Sequence, residues 1–331
     1  MDRIKDLGPG LAVVLITALA ALFLSEHYAA PAMLFALLLG IAMSFLYEDT
    51  PCKKGIDFAA GHVLRWGIAL LGLRIAWHDV IALGWQTALL LVFAIITTIS
   101  LGVAMARLLK LRTDLGLLTG GSVAICGASA ALAISAILPE HPNKERDTLA
   151  TVVGITAFST LAMVLYPFIA GLLNLGSTDT GIFIGATIHD VAQVVGAGYS
   201  VSEPVGDIAT LTKLVRVSLL VPVIMVILML LNRRYRATSP ADFTGTTPPG
   251  VPVFLIAFIL LMLLNSTFTL PSVISQGAAE SSRLALLVAI TAIGMKSNLK
   301  QLLTLGMKPL CLLAFETLWI ALFMLAALLL S

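Results

Sequence analysis

The chain has 331 residues, of which 59% are hydrophobic and 11% charged, and its mean hydropathy is +1.02. A water-soluble protein of this length cannot hide so much apolar surface, so composition excludes a soluble enzyme or binding module and predicts an all-α, polytopic helical membrane protein. The formal net charge of +2 excludes nothing; the three cysteines, Cys52, Cys126 and Cys311, stand far apart with no CxxC or His-rich neighbour, which argues against a disulfide framework and a metal site.

Runs of about 20 apolar residues predict about 11 segments: 8–26, 31–47, 57–76, 80–106, 114–138, 148–174, 179–200, 206–231, 250–266, 282–297 and 305–330. The first is too long for the apolar core of a signal peptide and is followed at once by others, so it reads as a retained helix. The connections are short, and the longest polar one, 232–249, divides the domain into a first half, 1–174, and a second, 175–331. With the N-terminus cytoplasmic, Arg3, Lys5, Lys53, Lys54, Arg107, Lys110, Arg112, Arg233, Arg234, Arg236, Lys296 and Lys300 fall inside. Only Arg74, Lys144, Arg146 and Arg283 then fall outside, a bias that fits the positive-inside rule and places the C-terminus outside.

Two internal echoes point to duplication. GLRIAWHDVIALG (72–84) matches GMKSNLKQLLTLG (294–306) at Gly72/Gly294, Arg74/Lys296, Leu83/Leu305 and Gly84/Gly306. The two lie at opposite ends of their helices, as an inverted repeat requires. The second echo sets TDLGLLTGGSVAICGASA (113–130) against TDTGIFIGATIHDVAQVV (178–195), with Thr, Asp, Gly and Gly at equal spacing. Simple counting of spans makes these two segments parallel, so a re-entrant or broken element is expected in one of them.

The same segments hold the candidate chemistry. His189, Asp190 and Gln193 sit in an apolar stretch bracketed by Gly181, Gly185, Gly196 and Gly198. Glycine lowers helix stability by about 1 kcal/mol relative to alanine. Unwound backbone at membrane depth persists only where it is buried in protein or lines a cavity. Such breaks form the midplane sites of transporters, where half-helix N-termini attract anions and freed carbonyls hold cations. The uncharged echo offers Ser122, Cys126 and Ser129 among glycines, with the Gly127 and Ala128 backbone as oxyanion donors. A small-residue packing face explains it equally well.

Lys213 and Arg216, three residues apart, put two cations on one helical face. They either neutralise Asp190 or Glu316 or attract an anion, and two cations near one aspartate favour the anion. For Glu316 and Arg65 a structural ion pair is as good a reading as function. No HExxH, GxSxG, P-loop or CxxC occurs, so no enzyme activity, cofactor, metal or nucleotide drive is expected.

GGSVAICGASA, the GLR of LLGLRIAWHD, IHDVAQVVGAG and TLTKLVRV, in that order, resemble the YeiH family of bacterial inner-membrane proteins, commonly described as sulfate exporters. That family is distantly similar to the cation:proton antiporter and bile-acid:sodium symporter superfamily. The resemblance covers nearly the whole chain. It implies inverted repeats, two crossing broken helices near Cys126–Ser129 and His189–Gln193, and a core moving against a panel or dimerisation domain. A secondary transporter exporting a small anion such as sulfate is the expected function, with a proton or sodium as coupling ion and a homodimer as assembly. The alternative is a cation/proton antiporter with Asp190 as ion ligand. His189 is the expected proton-sensitive member of the site. The lipid bilayer is a partner, and nucleic acid is not.

Overall fold

Glycine, proline and polar turns cut the apolar sequence into helices, which a computed structural model describes for residues 2–28, 31–48, 50–75, 77–235, 253–268, 271–297 and 306–330. In chain order these are α1 (Asp2–Tyr28), α2 (Ala32–Ala42), α3 (Lys53–Phe58), α4 (Leu64–Leu71), α5 (Trp77–Ala82), α6 (Gly84–Leu108), α7 (Thr113–Ala124) and α8 (Ala128–Ile137). There follow α9 (Lys144–Leu172), α10 (Ser177–Thr187), α11 (Val191–Val201), α12 (Glu203–Ser218), α13 (Leu220–Tyr235), α14 (Val253–Thr267), α15 (Ser272–Lys296) and α16 (Met307–Leu330). The described residues contain no strand, and six of the helices or helix pairs are long and apolar enough to cross a membrane. Large apolar side chains such as Ile16, Phe23, Phe168 and Leu172 face outward on them, as a bilayer allows and water does not. Arg236, Lys300 and most of the polar loop 232–249 lie outside the described residues.

The helices sort into two bundles. α1, α2, α3, α4, α14 and α15 pack together, as do α6 to α12 with α16, and the two meet where α11 lies against α2 and α15. Each bundle draws helices from both sequence halves, 1–174 and 175–331.

Within the second bundle, two of the predicted segments fold back on themselves. Ile134 of α8 reaches Gly121 of α7, a contact that a helix running straight through its break would leave about 20 Å apart at 1.5 Å per residue. The loop after α8 returns to the end it started from: Lys110, Arg112, Asn143, Arg146 and Pro309 line one cleft. Helices α10 and α11 behave likewise from the other end, with Arg74, Thr178, Pro204 and Asp207 lining a common cleft.

The long helix α9 acts as the ruler. Along α8, Ser135 pairs with Thr148 (2.7 Å) and Gly127 lies against Ile155. Along α10, Phe183 packs on Tyr166, and along α11 Asp190, Gln193 and Gly196 meet Ser159, Thr160 and Met163. The α7–α8 hairpin thus occupies the first part of α9 and the α10–α11 hairpin the second, and their tips meet midway.

The parity conflict of the second echo is thereby resolved. Both segments are re-entrant, one helix separates them, and they enter from opposite ends. Among the described residues each of the 11 apolar segments holds helix; six spans are long and apolar enough to cross a membrane, and two segments fold back. The expectation that Lys144 and Arg146 lie opposite Lys110 and Arg112 is corrected, because the hairpin brings all four to one end. In the first echo the matched glycines do matched work. A Cβ on Gly72 would strike the Phe258 carbonyl of α14, and one on Gly294 would sit 2.6 Å from the Leu37 carbonyl of α2. Each lets a neighbouring helix close on the end of α4 or α15.

Candidate functional site

The hairpin tips are short runs of non-helical backbone. Helix α7 stops at Ala124 because Ile125 leaves the helical region (φ −117°, ψ −83°) and Gly127 takes a positive φ of 65°. Helix α10 stops at Thr187, after which Ile188 is extended. Asp190 then starts α11 as its N-cap, its Oδ1 accepting a hydrogen bond from the Ala192 backbone N–H (3.2 Å). The tips touch: a Cβ on Gly127 would lie 3.6 Å from the backbone and from the Cβ of His189. The structure therefore brings together two segments that the sequence places 62 residues apart, counting Gly127 to His189.

Behind the tips stand the two cations, both fully buried. Lys213 Nζ donates to the carbonyls of Ile125 and Ile188, each at 2.8 Å, one on either tip. Arg216 donates to Val123 (2.9 Å) and Ala124 (2.6 and 3.0 Å) on the first hairpin. On the second it reaches Gly185, Ala186 and Ile188 at 3.3, 2.5 and 3.4 Å. Two helix C-termini leave their last carbonyls without partners, and each carries roughly half a negative charge. Lys213 and Arg216 satisfy both. Among the described residues neither forms an ion pair; their hydrogen bonds go to the carbonyl ends, and Asp190 acts on Lys213 only at longer range.

On the open side of the tips the polarity reverses. Helices α8 and α11 begin there, so their N-terminal N–H groups and partial positive charges face the junction. Asp190 already caps α11, whereas the N-cap of α8, Gly127, has no side chain to do so, and the Cys126 thiol faces the Ala130 N–H of its first turn. Ala128 is half-buried, Ser129 is exposed, and Asp190 is half-buried beside them. With two cations, one carboxylate, two negative and two positive helix ends at roughly half a charge each, the junction keeps a net charge of about +1.

The other candidates are placed as follows. His189 is fully buried, with Nε2 3.0 Å from Thr317 Oγ1 of α16 and no partner for Nδ1 among the described residues. Gln193 is buried and donates to Thr160 Oγ1 (2.8 Å). Ser122 turns its hydroxyl back to the Leu118 carbonyl (2.5 Å) and so is spent within its own helix. Cys126 is a buried free thiol at the first tip. Arg65 is exposed on α4, away from the tips.

Sequence reasoning passed over the hydroxyls that hold the second tip. Ser159 Oγ accepts from the Asp190 N–H (3.1 Å), Thr160 receives Gln193, and Thr317 meets His189. Their signal was present: 156, 159 and 160 place Thr, Ser and Thr on one face of an otherwise apolar helix.

Comparison with known proteins agrees along the whole length. The family model described as conserved hypothetical protein 698 matches residues 9–313. A UPF0324 membrane protein of Rhizobium meliloti is 50% identical over 96% of this chain and 92% of its own. The UPF0324 membrane protein TauZ of Paracoccus denitrificans is 48% identical over 95% and 93%, and one from Chlorobaculum tepidum is 46% identical over 96% and 88%. No solved structure matches the chain. Four sequence motifs, near-full-length identity of about half and a matching family model leave one assignment: the chain belongs to the UPF0324 family of membrane proteins, conserved hypothetical protein 698.

Proposed function

We propose that the chain is a secondary transporter that exports a small anion such as sulfate by alternating access, with the junction of the hairpin tips as its binding site. The observation that carries this reading is the meeting of two re-entrant hairpins, entering from opposite ends, at the glycine-started N-terminus of α8 beside the exposed Ser129. The Gly127–Ala128 backbone and the Ser129 hydroxyl supply oxyanion donors. Lys213 and Arg216, one layer behind, hold the junction positive without touching the substrate. Asp190 and Gln193 shape its other side. The two-bundle packing supports a core that slides against a scaffold, because hairpin tips borne on the core would carry the anion with them.

Orientation follows from charge. The end that bears Lys110, Arg112, Lys144 and Arg146 is assigned to the cytoplasm of a bacterial inner membrane, with the N-terminus on that side. Purified protein in liposomes loaded with radiolabelled sulfate should release it faster than empty vesicles; equal rates sink the anion assignment. The alternative, a cation/proton antiporter, draws on the half-buried Asp190 carboxylate at the tip. It predicts proton flux on adding sodium or potassium, abolished by Asp190→Asn. Because Asp190 Oδ1 is committed to capping α11, the anion reading is preferred.

A further inference from the structure

We infer that Glu316 is a proton-carrying site that couples proton movement to the hairpin tips; this deepens the transport reading above and rests on it for the coupling, but not for the proton. Glu316 is the tenth residue of the apolar α16 and is fully buried. It forms no ion pair among the described residues, and no charged side chain faces it from α6, α7, α9 or α10. A carboxylate in such surroundings needs a cation, either a proton on it or a metal ion beside it.

Hydrogen counting favours the proton. Thr119 Oγ1 lies 2.8 Å from Glu316 Oε1 and 3.0 Å from the Leu115 carbonyl. A hydroxyl has one hydrogen, and two acceptors cannot share it fully. A neutral Glu316 donating to Thr119, which in turn donates to Leu115, satisfies every atom of the chain. Among the described residues Oε2 has no partner, and no group of three or more His, Cys, Asp or Glu could hold a metal ion there. A Cβ on Gly102 of α6 would overlap Oε1, so the sequence keeps a glycine where the carboxyl is seated.

The carboxyl also sits where coupling is mechanical. Its own hydrogen bond is to α7 of the first hairpin, and its neighbour Thr317 contacts His189 at the tip of the second. Sliding of the bundle that holds both hairpins and α16 therefore carries Glu316 with the tips and changes which face it can reach. In one state the neutral acid gives its proton to water on one face, and in the other the carboxylate takes one from water on the opposite face. Proton number is conserved over the cycle.

The test uses the full-length protein and the isosteric Glu316→Gln, with two readouts. In infrared difference spectra of wild type minus variant, the carbonyl stretch of a neutral carboxylic acid should appear and shift in heavy water. In liposomes, the variant should keep sulfate–sulfate exchange at equal pH within about twofold of wild type. Its response to an imposed pH gradient should fall at least tenfold. Absence of the acid band, or a variant whose flux still follows the pH gradient, overturns the proposal. Should wild-type protein move no sulfate, the anion reading fails, and the infrared band alone decides whether Glu316 holds a proton.

Discussion

Gly127 is where one residue type decides the site. Its φ of 65° and its contact with His189 let the first tip turn without a side chain between the hairpins. An alanine there would sit 3.0 Å from Ile155 Cγ2 in a backbone conformation that L residues avoid. Gly127→Ala should therefore lose about 1–2 kcal/mol from strain alone, seen as a lower melting midpoint in detergent, and should separate the tips. Ser129→Ala makes the opposite kind of change. Its hydroxyl is exposed, so folding should be untouched while the sulfate concentration for half-maximal efflux rises about tenfold, the equivalent of one lost hydrogen bond near 1.4 kcal/mol. Unchanged affinity would remove Ser129 from the binding site. These residues were legible in the sequence because polar groups and glycine clusters stand out against an apolar background. The supporting hydroxyls of Ser159 and Thr160 left only a hydroxyl-bearing face on one apolar helix, and Thr317 left nothing, since a lone Ser or Thr in a membrane helix reads as packing until its partner is known.

At the scale of elements, Lys213 and Arg216 change meaning. Sequence alone left them either neutralising Asp190 or Glu316 or attracting an anion; the fold makes them the shared cap of two helix C-termini. No spacing rule reports this, because the carbonyls they bind lie 88 and 25 residues away for Lys213 and up to 93 for Arg216. Arg216→Leu would orphan carbonyls on both hairpins, each unsatisfied group worth roughly 1–3 kcal/mol. The protein should fail to accumulate or should melt far below wild type, and Arg216→Lys should only partly restore it, because the three hydrogens of an ammonium cannot serve the carbonyls of Val123, Ala124, Gly185, Ala186 and Ile188 that the guanidinium reaches. Full stability of Arg216→Leu would contradict the capping role.

The echoed pair Arg74 and Lys296 shows a related asymmetry. Arg74 at the end of α4 bridges to Glu203 and Asp207 of the other bundle, both at 3.0 Å, while Lys296 holds Asp57 of its own bundle at 2.7 Å. Among the described residues, one end of the interface is thus latched by ions and the other is not. Such partly exposed pairs contribute up to about 1 kcal/mol each, enough to shift a two-state ratio about fivefold. Arg74→Ala should therefore speed modification of a cysteine placed at Ser202 by a membrane-impermeant maleimide several-fold. An unchanged rate would show that the latch does not hold that end closed.

For the whole molecule, hydropathy found every apolar segment but could not tell crossing from returning. A hairpin of two helices of 10–12 residues has the same length and composition as one spanning helix with a glycine break. What distinguishes them is tertiary contact, Ile134 on Gly121, and that information is absent from a one-dimensional profile. The parity conflict between the two echoes was its only trace. The distinction has a direct consequence for sidedness. Were residues 113–137 a broken but continuous span, Arg112 and Asn143 would face opposite solutions; as a hairpin, both face the same one. The same holds for Thr178 and Pro204 at the other end. In a background lacking Cys52, Cys126 and Cys311, single cysteines at Arg112 and Asn143 should both resist an impermeant reagent added outside intact cells and react once the membrane is opened. Cysteines at Thr178 and Pro204 should both react from outside. Opposite behaviour within either pair would convert that hairpin back into a spanning helix. It would also take the tips out of register with each other, because the meeting of Gly127 with His189 depends on entry from opposite sides.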